Sequence, residues 1–452
     1  MAERLISLGL DVGTTSTQMI FSELAVENRA GSFSVPEMAI TERKIRYRSP
    51  VYFTPLLGQE RVDAAALREI VDREYEKAGF RREDVDTGAI IITGETSRKE
   101  NARAVLEELS GYAGEFVVAT AGPDLESILA AKGAGAVDWS RETGKTVLHM
   151  DIGGGTSNLA LIQEGKILAT GCLNVGGRLL KMDEMGRITY VSPVLEGLCG
   201  LSVGDRAEPE GLRPVAELLV QALEMAAGLR TPTELMRKLT TAGTAMEPPE
   251  GEVVISFSGG VADCIGKDSD WLAYGDLGPI LGQAIRRSKL CRREYMLGRE
   301  TIRATVIGAG CHSAQLSGST VFYRGIRFPL QNIPVVCIGE TAGDLRGEIH
   351  KGMTRQEGPA ILAMPGMEAP GYRQVAQLAE AIRDVWVSGP VLICLEQDMA
   401  KALGHALAVR FPADVPILCI DRVKLAEESY LDVAAPVGPA LTVVVKTLVL
   451  GR

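Results

Sequence analysis

Paired cysteines are missing from this sequence. Its eight cysteines, at positions 172, 199, 264, 291, 311, 337, 394 and 419, include no Cys-x-x-Cys spacing. With no signal peptide opening the chain, that scatter predicts free thiols in a reducing cytoplasm. Histidine is scarce: His149, His312, His350 and His405 keep no ligand spacing with cysteine or carboxylate, which argues against a zinc site. No uninterrupted apolar run reaches the roughly 18 residues of a membrane span. The apolar tail 441–450 is too short and β-rich for one, and reads as a strand. Positive charge is also in deficit. A formal net charge of −10 argues against nucleic acid as the main partner, because backbone phosphates require a concentrated basic surface. The basic cluster 286–293 reads as a solvated helix face, with an adenosine-side or partner contact as the other reading.

What the sequence does contain is a glycine-rich stretch around which the rest is arranged. Asp151-Ile152-Gly153-Gly154-Gly155-Thr156-Ser157-Asn158 separates the apolar runs 147–150 and 159–162. Two short apolar runs joined by such a turn read as a β-hairpin. Adjacent glycines remove every Cβ, so the turn's N–H groups can line up on an anion such as a phosphate. An aspartate at the strand's end can hold the waters of a magnesium ion, which keeps most of its hydration shell. Taken singly, a glycine-rich turn is an ordinary strand connection. Here it recurs: Leu8-Gly9-Leu10-Asp11-Val12-Gly13-Thr14-Thr15-Ser16-Thr17 has the same order of strand, aspartate, turn and returning strand. Self-similarity at about one domain's separation predicts a duplicated α/β unit with two turns facing each other across a cleft.

The remaining chain fits that plan. Strands are expected near 45–48, 51–54, 89–93 and 116–119, and helices over 62–78, 98–109 and 123–131, giving a mixed sheet covered on both faces. From 145 the plan repeats, with a strand at 166–171, helices at 214–227 and 233–239, and a strand at 253–257. A glycine-punctuated helix start at 304–315 reads as a hinge between the halves. Beyond 323, strands at 335–338, 360–364, 391–395 and 416–420 and helices at 374–386 and 399–410 predict a third α/β domain. The stretches 364–371 and 433–439 read as rigid turns.

The two turns, followed by the apolar strand that ends in Ser258-Gly259-Gly260, resemble the phosphate and nucleoside motifs of the actin, sugar kinase and heat-shock chaperone ATPase superfamily. The resemblance implies a duplicated actin-like (ribonuclease H-like) ATPase core, 1–144 and 145–322, closing on a nucleotide cleft, with a C-terminal α/β domain at 323–452. ATP would be cradled by Gly13, Thr14, Thr15, Gly153, Gly154, Gly155 and Thr156, and approached by Ser258, Gly259 and Gly260; Gly176 and Gly177 read either as a further backbone approach to the nucleotide or as a simple strand-to-helix turn. Mg²⁺ would sit, largely through water, between Asp11 and Asp151. Asp151 is the first candidate to orient an attacking water, and Glu95 and Glu126 are weaker ones. The Glu-Pro-Thr of chaperone-type members is not found at 119–124, which predicts slow hydrolysis.

Over nearly its whole length the chain also resembles the ethanolamine ammonia-lyase reactivating factors, the EutA family. The stretches that carry this are the first turn, Ile92-Thr93-Gly94-Glu95-Thr96-Ser97-Arg98-Lys99-Glu100-Asn101-Ala102, and the tail from Pro439 to Leu448. The resemblance implies a chaperone that uses ATP and Mg²⁺ to release damaged cobalamin from inactivated ethanolamine ammonia-lyase, so that fresh adenosylcobalamin can bind. It implies a cytoplasmic protein, in the setting of a bacterial microcompartment. No Asp-x-His-x-x-Gly is present, so the chain is not expected to hold cobalamin itself. Other readings on the same core are a small-molecule kinase and a cytoskeletal-type ATPase, while an iron–sulfur activase is disfavoured by the cysteine spacing.

Overall fold

Two sheets built to one plan grow from the two glycine-turn hairpins. The computed structural model describes residues 3–13, 16–28, 38–57, 61–93, 105, 109, 117–120, 123–241, 244–249, 251–312, 315–316, 321–339, 345–354, 358–423, 425, 429–437 and 440–447. In the first sheet, β1 (Glu3–Val12) runs antiparallel to β2 (Ser16–Asn28), which pairs with β3 (Met38–Arg48) and β4 (Tyr52–Phe53). A ribbon of β5 (Leu56–Leu57) and β6 (Arg61–Val62) leads to α1 (Ala64–Ala78). That helix starts where the Asp63 carboxylate accepts the Ala66 N–H and stops at Gly79, whose φ of 74° an L side chain would resist. β7 (Thr87–Ile92) and β8 (Val117–Thr120) join in parallel, completing the order β3-β2-β1-β7-β8. Ala89, Ile90, Ile91 and Ile92 are all buried, as an interior parallel strand requires. Most of the expected helix 98–109 lies outside the described residues.

After α2 (Pro123–Gly133) and α3 (Ala136–Thr143), the second sheet begins with the meander β9 (Val147–Ile152), β10 (Ser157–Gln163) and β11 (Lys166–Leu173). A separate hairpin, β12 (Leu180–Met182) with β13 (Ile188–Val191), and helices α4 (Pro209–Ala226) and α5 (Glu234–Leu239) follow. β14 (Val254–Ser258), α6 (Ala262–Ile265), α7 (Gly278–Arg287) and β15 (Tyr295–Leu297) complete it. The order β11-β10-β9-β14-β15 repeats the first sheet strand for strand, with the same antiparallel and parallel senses. Two expectations need correction. α4 starts at Pro209, because Leu212, Val215, Ala216 and Leu219 form one buried face that carries the helix through Pro214. The basic run 286–293 is not one helical face: α7 ends at Arg287, and the Ser288 hydroxyl caps a short turn by accepting the Leu290 N–H.

Each half lends a helix to the other. α2 packs on β9, β10 and β11, whereas α8 (Ala304–His312), which ends the second half, packs on β1, β2 and β7. The exchanged helices meet backbone to backbone. A Cβ on Gly133 would lie 1.9 Å from the Ala304 carbonyl oxygen, and one on Gly308 2.0 Å from that of Leu129. Gly9 of β1 is held as closely, since its Cβ would fall 2.5 Å from the Val306 oxygen. Glycine at these points lets α8 lie directly beneath the strand that carries Asp11.

Two further strands, β16 (Gln315–Leu316) and β17 (Phe322–Arg324), become edges of a third sheet. Its centre is β18 (Leu330–Cys337), β19 (Ile361–Met364), β20 (Val391–Leu395) and β21 (Ile417–Ile420), parallel and in sequence order. Crossovers taken always in one direction put α9 (Leu345–Thr354), α10 (Tyr372–Val385) and α11 (Ala400–Arg410) against one core. Their contacts form one apolar core, and Leu392, Leu418, Ile420, Leu431 and Val443 form another on the opposite face. The expected turn 433–439 is mostly strand: β22 (Ser429–Val437) pairs with both β18 and β23 (Ala440–Thr447). The ladder absorbs Pro436 at a register shift between β22 and β23, where the missing N–H is tolerated.

Candidate functional site

The two hairpins are superimposable in their bonding. Asp11 pairs across the strands with Gln18, and Asp151 with Asn158, seven positions on in each case. In each turn the glycine two residues after the aspartate donates its N–H to a carbonyl three residues further: Gly13 to Ser16 and Gly153 to Thr156, both at 2.9 Å. Both glycine carbonyls are tied down from outside the hairpin, Gly13 by the Thr54 hydroxyl at 2.7 Å and Gly153 by the Gly177 N–H at 3.1 Å. The N–H groups of Gly154, Gly155 and Thr156 have no acceptor among the described residues, and Gly155 is exposed. Thr14, Thr15 and Glu95 lie outside the described residues.

Asp11 and Asp151 end adjacent β-hairpins close enough for the charge of Asp151 to act on Asp11. Neither carboxylate has a basic side chain as partner among the described residues. Asp11 accepts the Thr93 hydroxyl at 2.9 Å, and Asp151 accepts the hydroxyls of Ser258 and, from α8, Thr305. Burial raises the Asp11 carboxyl from 3.8 to about 7, against the lowering effect of Thr93 and with a further rise from Asp151. Burial likewise raises Asp151 to about 6, partly offset by its two hydroxyl donors. A pair of buried carboxylates held in this way is suited to a cation.

Two buried oxygens make the same point. Gln18 Oε1 and Asn158 Oδ1, on the residues paired with the two aspartates, have no hydrogen-bond partner among the described residues, although both side chains are at least 97 % buried (3 % and 2 % exposed). A hydrated cation between the turns would give all four groups a partner, so the donor set, two carboxylates and two amide oxygens, fits magnesium with its water shell. Among the described residues no three of His, Cys, Asp and Glu stand close enough to cage a metal by themselves.

The other expected residues gather at the same place, several of them in contact with the turn itself. A Cβ on Gly176 would sit 2.3 Å from the Gly154 oxygen, so that glycine lets the chain close over the turn. Gly177 and Arg178 donate their N–H groups to Gly153 and Gly154. Ser258 is fully buried with its hydroxyl on Asp151, and Gly259, at φ 86°, would place a Cβ 2.3 Å from the Ile152 oxygen. Gly260 follows at the start of the turn into α6. Glu126 stands on α2.

Some participants are absent from the motifs. His149 lies two residues before Asp151 and therefore on the same face of β9. Its Nε2 is 2.9 Å from Ser258 Oγ and its Nδ1 3.0 Å from Ser256 Oγ. Ser258 donates its single proton to Asp151, so it accepts from Nε2–H, and Nδ1 then accepts from Ser256. Burial lowers this imidazole to about 3, which keeps it neutral. The alternation Ser256, Ser258 against His149, Asp151 is a signal a paired-strand reading could have used. Thr93 and Thr54 carry no such signal, because only the fold brings them to Asp11 and Gly13.

The family model described as ethanolamine utilisation protein EutA matches residues 3–451. The ethanolamine ammonia-lyase reactivase EutA of Escherichia coli (strain K12) is 37 % identical over 468 aligned positions, covering 98 % of each chain, and that of Salmonella typhimurium is 37 % identical with the same coverage. Among solved structures, a Ppx/GppA family member from Aquifex aeolicus aligns at 12 % identity and TM-score 0.41, covering 68 % of this chain and 97 % of that one. The ethanolamine utilization protein EutJ from Carboxydothermus hydrogenoformans aligns at 18 % identity and TM-score 0.33, covering 68 % and 89 %.

Proposed function

The chain belongs to the EutA family of ethanolamine utilisation proteins, and on that premise we propose that it is an ATP-dependent reactivating factor for ethanolamine ammonia-lyase. The observation that carries the nucleotide part is the pair of hairpins with identical seven-residue spacing, each bringing a buried carboxylate to its turn. The free N–H groups of Gly154, Gly155 and Thr156 bind phosphate oxygens, and the first turn clasps the chain from the other side. Mg²⁺, when bound, neutralises charge on the phosphates and on the leaving oxygen. Asp11 and Asp151 hold its water shell, with Gln18 and Asn158 accepting from the same waters. Asp151, fixed by Ser258 and Thr305, orients the attacking water.

Residues 1–144 and 145–322 act as the two ATPase halves, and 323–452 as an appended unit. Because α2 and α8 are exchanged between halves, a change of cleft angle must move one helix against the other. α8 runs within three residues of β16, so the movement reaches the third sheet. Differential affinity of the open and closed forms for the inactivated lyase then favours release of damaged cobalamin and entry of intact adenosylcobalamin. Among the described residues no helix is long and apolar enough to cross a membrane. Work in the cytoplasm, in association with a bacterial microcompartment, belongs to the same proposal.

The test uses lyase inactivated with cyanocobalamin. Deamination should return only when this protein, ATP, Mg²⁺ and adenosylcobalamin are all supplied, and ATP should be hydrolysed without any sugar or acid acceptor. Asp11→Ala and Asp151→Ala should abolish both effects. No recovery with the intact protein, or full turnover in both variants, overturns the reading.

A further inference from the structure

Neither phosphate turn contains a lysine or arginine: residues 9–18 and 151–158 carry only the two aspartates as charged groups. Those carboxylates already match the charge of a divalent cation. The turns themselves then offer the phosphate chain no cation, which in a cleft of low dielectric is a costly arrangement. One basic side chain is built into the turn. Arg178 follows the glycine pair that closes over the second hairpin, and its N–H donates to the Gly154 oxygen at 2.6 Å. Its aliphatic stem lies across Gly154, where a Cβ would be 3.3 Å from Arg178 Cδ and 3.5 Å from its Cβ and Cγ.

The head group is secured at one edge alone. Arg178 Nε is 3.3 Å from Asp276 Oδ2, and the other oxygen of Asp276 accepts the Gly278 N–H at 2.8 Å, at the first residue of α7. Asp276 is buried while the Arg178 side chain as a whole is about a quarter exposed, at 27 %. Its two Nη atoms have no acceptor among the described residues. A planar fork with one edge fixed by a buried carboxylate and its terminal nitrogens free, beside a turn of unpaired N–H groups, is the arrangement that recognises phosphate oxygens.

We propose that Arg178 is a phosphate-binding residue of the nucleotide cleft, with Asp276 as its positioning partner. The inference rests on the nucleotide reading given above and deepens it. Arg178 supplies the positive charge that the turns lack, and its Nη atoms bind the same phosphate oxygens as the Gly154 and Gly155 N–H groups.

The experiment measures binding of adenosine, Mg·ADP and Mg·ATP to the full chain by calorimetric titration, for the wild type, Arg178→Met, Arg178→Lys and Asp276→Asn. Methionine keeps a stem over Gly154 and removes the charge; its thermal unfolding should stay cooperative, with a midpoint lowered by the loss of the partner of buried Asp276. Arg178→Met should weaken Mg·ADP and Mg·ATP by about tenfold or more, as expected for loss of a charge-assisted contact, and leave adenosine unchanged. Lysine should restore part of the loss, and Asp276→Asn should weaken only the phosphorylated ligands, by less. If the wild type binds ATP and Arg178→Met binds it as tightly, or loses adenosine equally, the assignment of Arg178 falls alone. If the wild type binds no nucleotide, the nucleotide reading falls with it.

Discussion

Replacing Asp11 by asparagine should stabilise the metal-free protein while removing its function, and the size of the effect follows from the site. The folded Asp11 carboxyl keeps its proton up to about 7, against 3.8 for the unfolded chain. Between those values the folded state binds more protons than the unfolded one, so stability falls as pH rises, and the full cost is present above about 7. At 1.36 kcal/mol per tenfold the rise corresponds to on the order of 4 kcal/mol, an upper figure because relaxation and water in the cleft reduce it. Asparagine keeps the oxygen that accepts from Thr93 and carries no charge. In thermal unfolding with a chelator, Asp11→Asn should therefore match the wild type near pH 4 and melt several degrees higher at pH 8, at roughly 2–4 °C per kcal/mol for a domain of this size. Added Mg²⁺ and nucleotide should raise the wild type and leave the variant unmoved. A variant that melts lower than the metal-free wild type at pH 8, with the same pH slope, would refute the buried-charge argument.

Three further outcomes follow from the same geometry. Binding of Mg·ADP should tighten as pH rises from about 5 to 8 and level off above, because Asp151 at about 6 and Asp11 at about 7 must release their protons to solvent before they can hold the hydrated metal; titration at several pH values checks this, and a flat profile contradicts it. Gly308→Ala forces a Cβ to within 2.0 Å of the Leu129 oxygen and should cost roughly 2–4 kcal/mol by separating α2 from α8; Gly211→Ala, with nothing within 4 Å, should be neutral or stabilising by up to about 1 kcal/mol in the same denaturant series. Thr54→Ala releases the Gly13 carbonyl and should slow ATP turnover several-fold, as expected for a hydrogen bond of about 1 kcal/mol, whereas Thr54→Ser should retain the wild-type rate.

The sequence by itself determined the two hairpins, their spacing and the order of the motifs. These are local properties: strand periodicity, the backbone freedom of adjacent glycines and the helix ends at Asp63 and Gly79 are all set within a few residues. It also indicated the third α/β unit from apolar runs that a parallel sheet buries on both faces, though not α9, whose short stretch 345–354 has few apolar residues to mark it. It misjudged 433–437, where Pro436 reads as a turn until β18 and β23 are seen to flank it. Only the tertiary structure decided what surrounds the aspartates. Thr93 comes from β7's end, Ser258 and Thr305 from segments more than 100 residues from Asp151, and Thr54 from a strand that reaches Gly13 over the sheet edge. A carboxyl's proton affinity depends on burial and on which groups face it, and those are set by which distant segments the fold brings together. The exchange of α2 and α8 is of the same kind, because a glycine's role at a helix crossing becomes visible only when the opposing carbonyl is in place.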